Sequence, residues 1–557
     1  MNHPTTSQHA VFSLVVAAGL ACAPPSHDRP EGVMVVVQEQ QSAWLRNFNP
    51  FLPVGSSRWP SAAGVHEPLL IYSPMTGDYT PWLAESFRWD VPAEQLTFRL
   101  RPGVLWSDGT PLTAQDVAFT FSLIQAHKAL DQGGVWKLLA AVDAPDTHTV
   151  TFRFKEPFSP GLLEVGHTPI VPEHVWSKVE DPVTFTNPDP VASGPFTEVV
   201  RFESQVFELG RNPHHRSGPT GVERLRFPAF SSNDQITLAL AQGDIDWAGA
   251  FVPAVERTFI GRDPDHHHAW FPIVGDTVFL YPNTTVAPLD QPAVRKAISL
   301  AIDREKVVQV AMYDYTVPAH PTGLSDGYAE WRIDPVPEAS SWVRHDPARA
   351  EQMLDDAGFP RGADGLRQNP DGTPLTIELT IPAGWSDWVR AARVIARDLR
   401  AIGIDVRVQG RDFTAWFDAV ARGEFSLSLG WAASGPTPYR MYRTLMDPDG
   451  VEPIGQPAAG NWGRHASPRA RALLDAFERT TDRAEQQRLA HALQAVFLEE
   501  APALPLFPSA SWGEANTRWV TGFPSEANPY ARLSPNAFPE PLLVLTHLQW
   551  RDAEAAP

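Results

Sequence analysis

Two short stretches gather the side chains best suited to holding a small molecule. Pro382-Ala383-Gly384-Trp385-Ser386-Asp387-Trp388 and Gly430-Trp431-Ala432-Ala433-Ser434-Gly435-Pro436-Thr437-Pro438-Tyr439 each set tryptophan beside glycine and small polar residues. An indole is a rigid apolar plate with an N–H donor at its edge, so it suits a ligand with one apolar and one polar aspect. Sugar rings have that character, with C–H faces that stack and hydroxyls that bond to Ser, Asp and Asn. The chemistry implied is capture rather than bond-making. Trp385, Trp431 and Trp247, which ends Asp244-Ile245-Asp246-Trp247, are the expected stacking residues, while Asp387, Ser434 and Asn283 supply directional hydrogen bonds. Trp388 is a further candidate that fits a helix core equally well. Trp44 and Trp59, in Pro/Ser-rich loops, follow.

Reactive motifs are weaker. Gly323-Leu324-Ser325-Asp326-Gly327 matches G-x-S-x-G, but that elbow needs a strand before it, and Pro318 and Pro321 stand there instead. His266-His267-His268 cannot all address one metal ion from regular structure. Asp447-Pro448-Asp449-Gly450 and Asn369-Pro370-Asp371-Gly372 are turns without calcium-loop spacing. No pair of carboxylates is marked out for glycoside hydrolysis. No metal, cofactor or catalytic residue is therefore expected, and a secreted glycoside hydrolase or esterase is the alternative of another class.

The tryptophan loops need elements to position them, and the local pattern supplies these. Leu375, Ile377, Leu379 and Ile381 alternate with polar residues as in a strand. Trp388, Ala391, Ala392, Ile395, Leu399 and Ile402 recur at helical spacing, with Asp387 as N-cap and Gly403 just past the end. Ile404, Val406 and Val408 alternate again; a second helix spans 413–421, and Phe425, Leu427 and Leu429 form another strand. This βαβαβ run predicts a parallel sheet with crossover helices. Ligands of such sheets bind beyond the carboxyl ends of the strands, which is where both tryptophan loops fall.

The bulk numbers bound the rest. A chain of 557 residues holds several domains at roughly 100–200 residues each. The formal charge of −20 lacks the basic density that nucleic-acid phosphates require. The one cysteine, Cys22, follows the apolar run Ala10–Ala21, which has the length of a signal-peptide core and is too short to span a bilayer. Gly19-Leu20-Ala21-Cys22 resembles a bacterial lipobox, with Cys22 as the lipidation site, and a single cysteine placed there favours that reading. Residues 1–22 read as the signal peptide and 23–32 as a polar tether.

Leu96–Ile124 combines an alternating strand, turns at Pro102-Gly103 and Asp108-Gly109, and a helix capped by Thr113 with Asp116 three residues on. As a string, LTFRLRPGVLWSDGTPLTAQDVAFTFSLI resembles the signature of the family 5 extracellular solute-binding proteins of ABC importers. Ser193-Gly194-Pro195-Phe196, Ala239–Trp247, Asn283-Thr284 with Val294–Arg304, Asn461-Trp462-Gly463-Arg464 and Ala503–Phe507 continue the resemblance in order. It implies an α/β, two-lobed periplasmic-binding-protein fold with a hinged cleft and an extra α/β domain inserted in lobe I. The implied limits are 33–70, 190–283 and 520–557 for lobe I, 71–189 for the inserted domain and 284–519 for lobe II. Gly384–Trp388, Gly435–Tyr439, Asp246–Gly249 and Pro321–Leu324 are similar to the cello- and manno-oligosaccharide branch. The peptide branch typically carries an aspartate after the strand corresponding to 425–429 to pair with the peptide amino group, and Gly430–Tyr439 contains no acidic residue. The implied function is capture of an oligosaccharide outside the cytoplasm by a lipid-anchored monomer that delivers it to a membrane permease. An oligopeptide is the runner-up ligand.

Overall fold

The computed structural model describes residues 31–52, 60–337 and 342–551. Cys22, the signal segment, most of the tether and Trp59 lie outside the described residues. Among those described, no helix is long and apolar enough to cross a membrane.

Two large sheets dominate. The first has seven strands in the order His267–Ala269, Glu514–Asn516, Trp247–Ala248, Val33–Val37, Arg224–Pro228, Val206–Arg211 and Phe196–Glu203. Val33–Val37 pairs in parallel with Arg224–Pro228 and Trp247–Ala248 and is buried on both faces, as a central strand of five apolar residues should be. The second sheet has five strands: Asp405–Arg411, Thr376–Pro382, Leu427–Trp431, Ile273–Pro282 and Leu504–Ala510.

Within the second sheet Thr376–Pro382 runs parallel to both Asp405–Arg411 and Leu427–Trp431, with helices Ser386–Ala401 and Phe413–Ala421 as the crossovers. Helix Ser386–Ala401 buries Trp388, Ala391, Ala392, Ile395 and Leu399, and Gly403 follows its end at φ +92°, a conformation only glycine adopts without strain. Its N-cap is Trp385 rather than the expected Asp387, which falls in the first turn instead. A carboxylate there still meets the positive end of the helix.

The chain passes between the sheets at 270–272 and again at 511–513. Ile273–Pro282, expected in lobe I, is hydrogen-bonded to Leu427–Trp431 and Leu504–Ala510 in the second sheet. Glu514–Asn516, expected in lobe II, pairs with Trp247–Ala248 and His267–Ala269 in the first. Ladder hydrogen bonds fix these strands, so the expected limits at 283 and 520 are corrected. We propose a lobe division that follows this pairing.

A four-stranded antiparallel sheet, Ala84–Val91, Gln95–Leu100, Thr149–Phe154 and Leu139–Asp143, packs against helix Ala114–Ala126. The capping box forms: Thr113 N–H donates to Asp116 Oδ2 at 2.8 Å, and the Thr113 hydroxyl accepts from the first turn. Val117, Phe121 and Ile124 are buried, with Phe121 edge-on to Phe152 at 4.8 Å. Glu67 joins this region to the first sheet's loops. Its Oε1 accepts from Trp82 Nε1 at 2.7 Å and Arg216 Nη1 at 2.5 Å, while the Arg216 guanidinium lies 4.4 Å over the Trp82 ring.

Candidate ligand cleft

The carboxyl ends of the parallel strands of the second sheet carry an aromatic cluster. Trp385 meets Trp388 edge-on at 4.7 Å and lies nearly parallel to Trp431 at 6.2 Å. Trp431 touches Trp416 at 5.7 Å, Trp462 at 5.4 Å and Phe417 at 6.4 Å. Trp388 and Trp416 are buried beneath, and Trp416 Nε1 donates to Ser428 Oγ at 3.0 Å. Trp385 and Trp431 remain half-buried and form the rim. Among the described residues the Nε1 donors of Trp385 and Trp462 are buried without a hydrogen-bond partner, which is costly unless something accepts from them. Trp416, Phe413 and Phe417 were not singled out from the sequence. The usable signal was their i, i+3, i+4 spacing on the second crossover helix, which points one stripe at the same strand ends.

The two lobes touch beside this cluster. Asn233 N–H donates to Gly384 O at 3.1 Å, and Asn233 Nδ2 donates to Asp387 Oδ1 at 3.1 Å. Gln40 Nε2 donates to Asn233 Oδ1, and Ser42 Oγ to Asp412 Oδ2 at 3.1 Å. A Cβ at Gly384 would stand 2.3 Å from Ser231 O, so only glycine permits this approach. Asp387 is thus engaged by the opposite lobe, and its expected role of bonding the ligand is replaced in this state by a bond across the cleft.

Burial pushes the Asp387 carboxyl up to about 6, against the opposing pull of first-turn N–H groups, Arg390 and Asn233. A carboxyl raised on folding binds its proton more tightly in the folded state, so its ionisation costs stability as pH rises from about 4 through 6. Asp387→Asn removes that cost. Its stability relative to wild type should climb by about 2 kcal/mol between pH 4 and pH 7. Denaturant unfolding at both pH values measures this; a pH-independent difference would remove Asp387 as the cause.

A second group of side chains is polar and draws on several parts of the chain. Asp276 lies in strand Ile273–Pro282, two residues beyond the Val278–Trp431 pair and level with the loop that follows Trp431. Tyr328 OH donates to Gly435 O at 2.7 Å and accepts from the Gly435 N–H at 3.0 Å. Arg532, from the C-terminal segment, is held by Glu540 through Nε at 2.8 Å and Nη2 at 2.6 Å. Arg440 Nε lies 3.2 Å from Glu164 Oε1, and His167 Nε2 accepts from the Tyr72 N–H at 3.0 Å. Burial, then Arg440, lower His167 to about 3, which keeps it the neutral acceptor that bond requires. Asp276, Ser434, Tyr72 and Arg532 are each half-buried.

Three expected contacts are corrected. Trp247 is 1% exposed, donates Nε1–H to Leu533 O at 2.6 Å and packs on Phe523; it belongs to the core of the first sheet. Asn283 is fully buried, and its amide is spent on the backbone: Nδ2 donates to Gly423 O and Phe425 O, while Oδ1 accepts from Thr285. Trp44 is buried edge-on against Phe207 at 5.0 Å. None of the three presents a face to the tryptophan rim.

Comparison with known proteins agrees with this architecture. Residues 78–452 match the model of the bacterial extracellular solute-binding proteins, family 5. A putative ABC transporter peptide-binding protein of Brucella ovis is 29% identical over 326 residues, 56% of this chain; the chain spans only 58% of that relative's length. A probable D,D-dipeptide-binding periplasmic protein of Escherichia coli is 23% identical over 94% of this chain and 97% of its own. Among solved structures, a periplasmic oligopeptide-binding protein of Thermotoga maritima with mannohexaose bound superposes with a TM-score of 0.86 at 28% identity. That match covers 94% of this chain and 99% of the other. With the family model matching well over half of its length and the two-lobed α/β fold in place, the chain belongs to the family 5 bacterial extracellular solute-binding proteins, which bind solutes and are not enzymes.

Proposed function

We propose that this protein is the substrate-binding subunit of an ABC importer that captures β-linked oligosaccharides of the cello or manno type. The observation that carries this reading is the rim of Trp385 and Trp431, two half-buried and nearly parallel indoles at the strand ends, backed by Trp388, Trp416 and Trp462. Flat apolar faces with N–H donors at their edges match the C–H faces and hydroxyls of pyranose rings. The Thermotoga maritima relative solved with mannohexaose supports the same class. Binding would draw the lobes together, because a solute that touches both favours the closed state, and that state would dock on the permease. The protein would act outside the cytoplasm as a monomer, with Cys22 as lipid anchor. An oligopeptide is the second reading, supported by the names of the Brucella ovis and Escherichia coli relatives.

Thermal unfolding with cello-, manno- and xylo-oligosaccharides, peptides and nickel tests this. A ligand at 100 times its Kd should add about 2.7 kcal/mol to stability. Stabilisation by peptides with none by sugars would overturn the choice of solute, and product formation from any ligand would overturn the binding role.

A further inference from the structure

A cluster of aromatic side chains fills the place where the chain crosses between the two large sheets. Phe271 and Trp512 belong to the two crossing segments and lie edge-on at 5.1 Å. Phe251, just past strand Trp247–Ala248 of the first sheet, is 1% exposed and meets Trp512 edge-on at 5.3 Å. Tyr313 and Tyr315 come from the other side. They follow helix Arg304–Ala311, which packs on Ser386–Ala401, and Thr316 Oγ1 donates to Pro508 O at 2.6 Å in the second sheet. Their rings lie 5.9 and 6.0 Å from that of Phe251. The Tyr315 hydroxyl accepts from the Val255 N–H at 2.7 Å and donates to Val252 O at 3.2 Å, so it bonds twice to backbone on the side of the first sheet.

Arg390 bridges the two sides. Its guanidinium lies 4.9 Å over the Phe251 ring and 5.3 Å over that of Tyr313, one ring from each side. Its Nη2 donates to Ala311 O at 3.2 Å, and its Nε is buried without a hydrogen-bond partner among the described residues. The ring faces are what the cation gains by lying there, and that attraction grows as water is excluded. Arg390 stands one helical turn past Asp387, whose Oδ1 accepts from Asn233 across the cleft. Residues i and i+3 share a helix face, so both cross-cleft contacts of this helix lie on one side of it. Drawing Asn233 away from Asp387 therefore also pulls Phe251 from Arg390. The turn that presents the tyrosines is strained, with Tyr313 at φ +54° and Asp314 at φ +59°. Such strain persists only where the surrounding packing enforces it, and here it sets both rings against Phe251.

We propose that Arg390, Phe251 and Tyr315 form a clasp that holds the lobes together before a solute arrives, so that part of the empty protein is already closed. The clasp then raises affinity for every solute by the same factor, because it acts on closure rather than on the solute. This rests on the closure reading above and is independent of which solute is carried.

Small-angle scattering from the full, empty chain tests it, with Kd values for mannohexaose, cellotetraose and a tetrapeptide as the second readout. Wild type should scatter as wholly or partly compact. Arg390→Met and Tyr315→Phe should each enlarge the radius of gyration, and Arg390→Lys, which keeps a cation over the rings, should recover most of the change. Any probe that binds should lose the same factor, about three- to tenfold, in Arg390→Met. Tyr315→Phe deletes a single hydroxyl and keeps the ring, so it carries the test if Arg390→Met fails to fold. Unchanged scattering in the folded variants overturns the clasp, as does an empty wild type that is wholly open. A loss confined to one probe overturns it too, since Arg390 would then be touching that solute. If no probe binds, the choice of solute fails while scattering still decides the clasp. A probe that binds Arg390→Met without compacting it strikes the closure reading itself.

Discussion

Arg216→Met should lower the unfolding free energy by about 3–5 kcal/mol, because it strips the counter-charge from a buried carboxylate. Glu67 is fully buried, and Arg216 Nη1 and Trp82 Nε1 both donate to its Oε1. Burial by itself pushes that carboxyl up; Arg216, then His215, more than reverse the effect and hold it at about 2. A carboxyl lowered from 4.5 to about 2 contributes about 3 kcal/mol. That contribution is complete above pH 4.5 and is lost as pH falls toward 2. Methionine keeps an unbranched apolar stem, removes the guanidinium that lies over Trp82 and leaves Glu67 to protonate instead. The deficit should therefore be full at neutral pH and shrink in acid. Urea unfolding at pH 7 and pH 3.5 reads both values, and Glu67→Gln in the same chain should recover part of the loss. A change below 1 kcal/mol at pH 7 would mean that the pair does not secure the joint between the four-stranded sheet and the loops of the seven-stranded sheet.

What the sequence revealed was local. The capping box at Thr113 and Asp116 and the βαβαβ alternation from 375 to 431 depend on residues a few positions apart, so type and spacing suffice to read them. The tryptophan loops were legible for a related reason: a parallel sheet sends both to one edge. Whether a given side chain faces that edge was not legible. Trp247 and Asn283 stand at strand ends, as ligand contacts would, yet one turns into the core to reach Leu533 and the other caps carbonyls 140 residues away. The lobe limits slipped by the same logic, because strand partners at 273–282 and 514–516 are chosen by distant segments.

Trp431→Ala should weaken binding of the preferred oligosaccharide by about 2–3 kcal/mol, roughly 30- to 150-fold, as expected for an aromatic anchor at the centre of a binding surface. The ring is half-buried, with one side held by Trp416, Trp462 and Phe417 and accessible surface left over at the strand end. Alanine deletes the plate and loosens Trp385 and Trp462, so some thermal stability should be lost as well. Two comparisons separate the effects. Trp431→Phe keeps an apolar plate on the same backbone and should return affinity to within several-fold of wild type. Trp247→Phe removes the Nε1 bond to Leu533 in the core of lobe I, so it should lower the melting temperature while leaving Kd unchanged. Titration calorimetry and thermal unfolding on the three variants give the split. If Trp431→Ala binds within twofold of wild type, the rim is packing for lobe II and the solute is held elsewhere in the cleft. If Trp247→Phe loses affinity as steeply as Trp431→Ala, lobe I rigidity rather than the indole face sets the strength of capture.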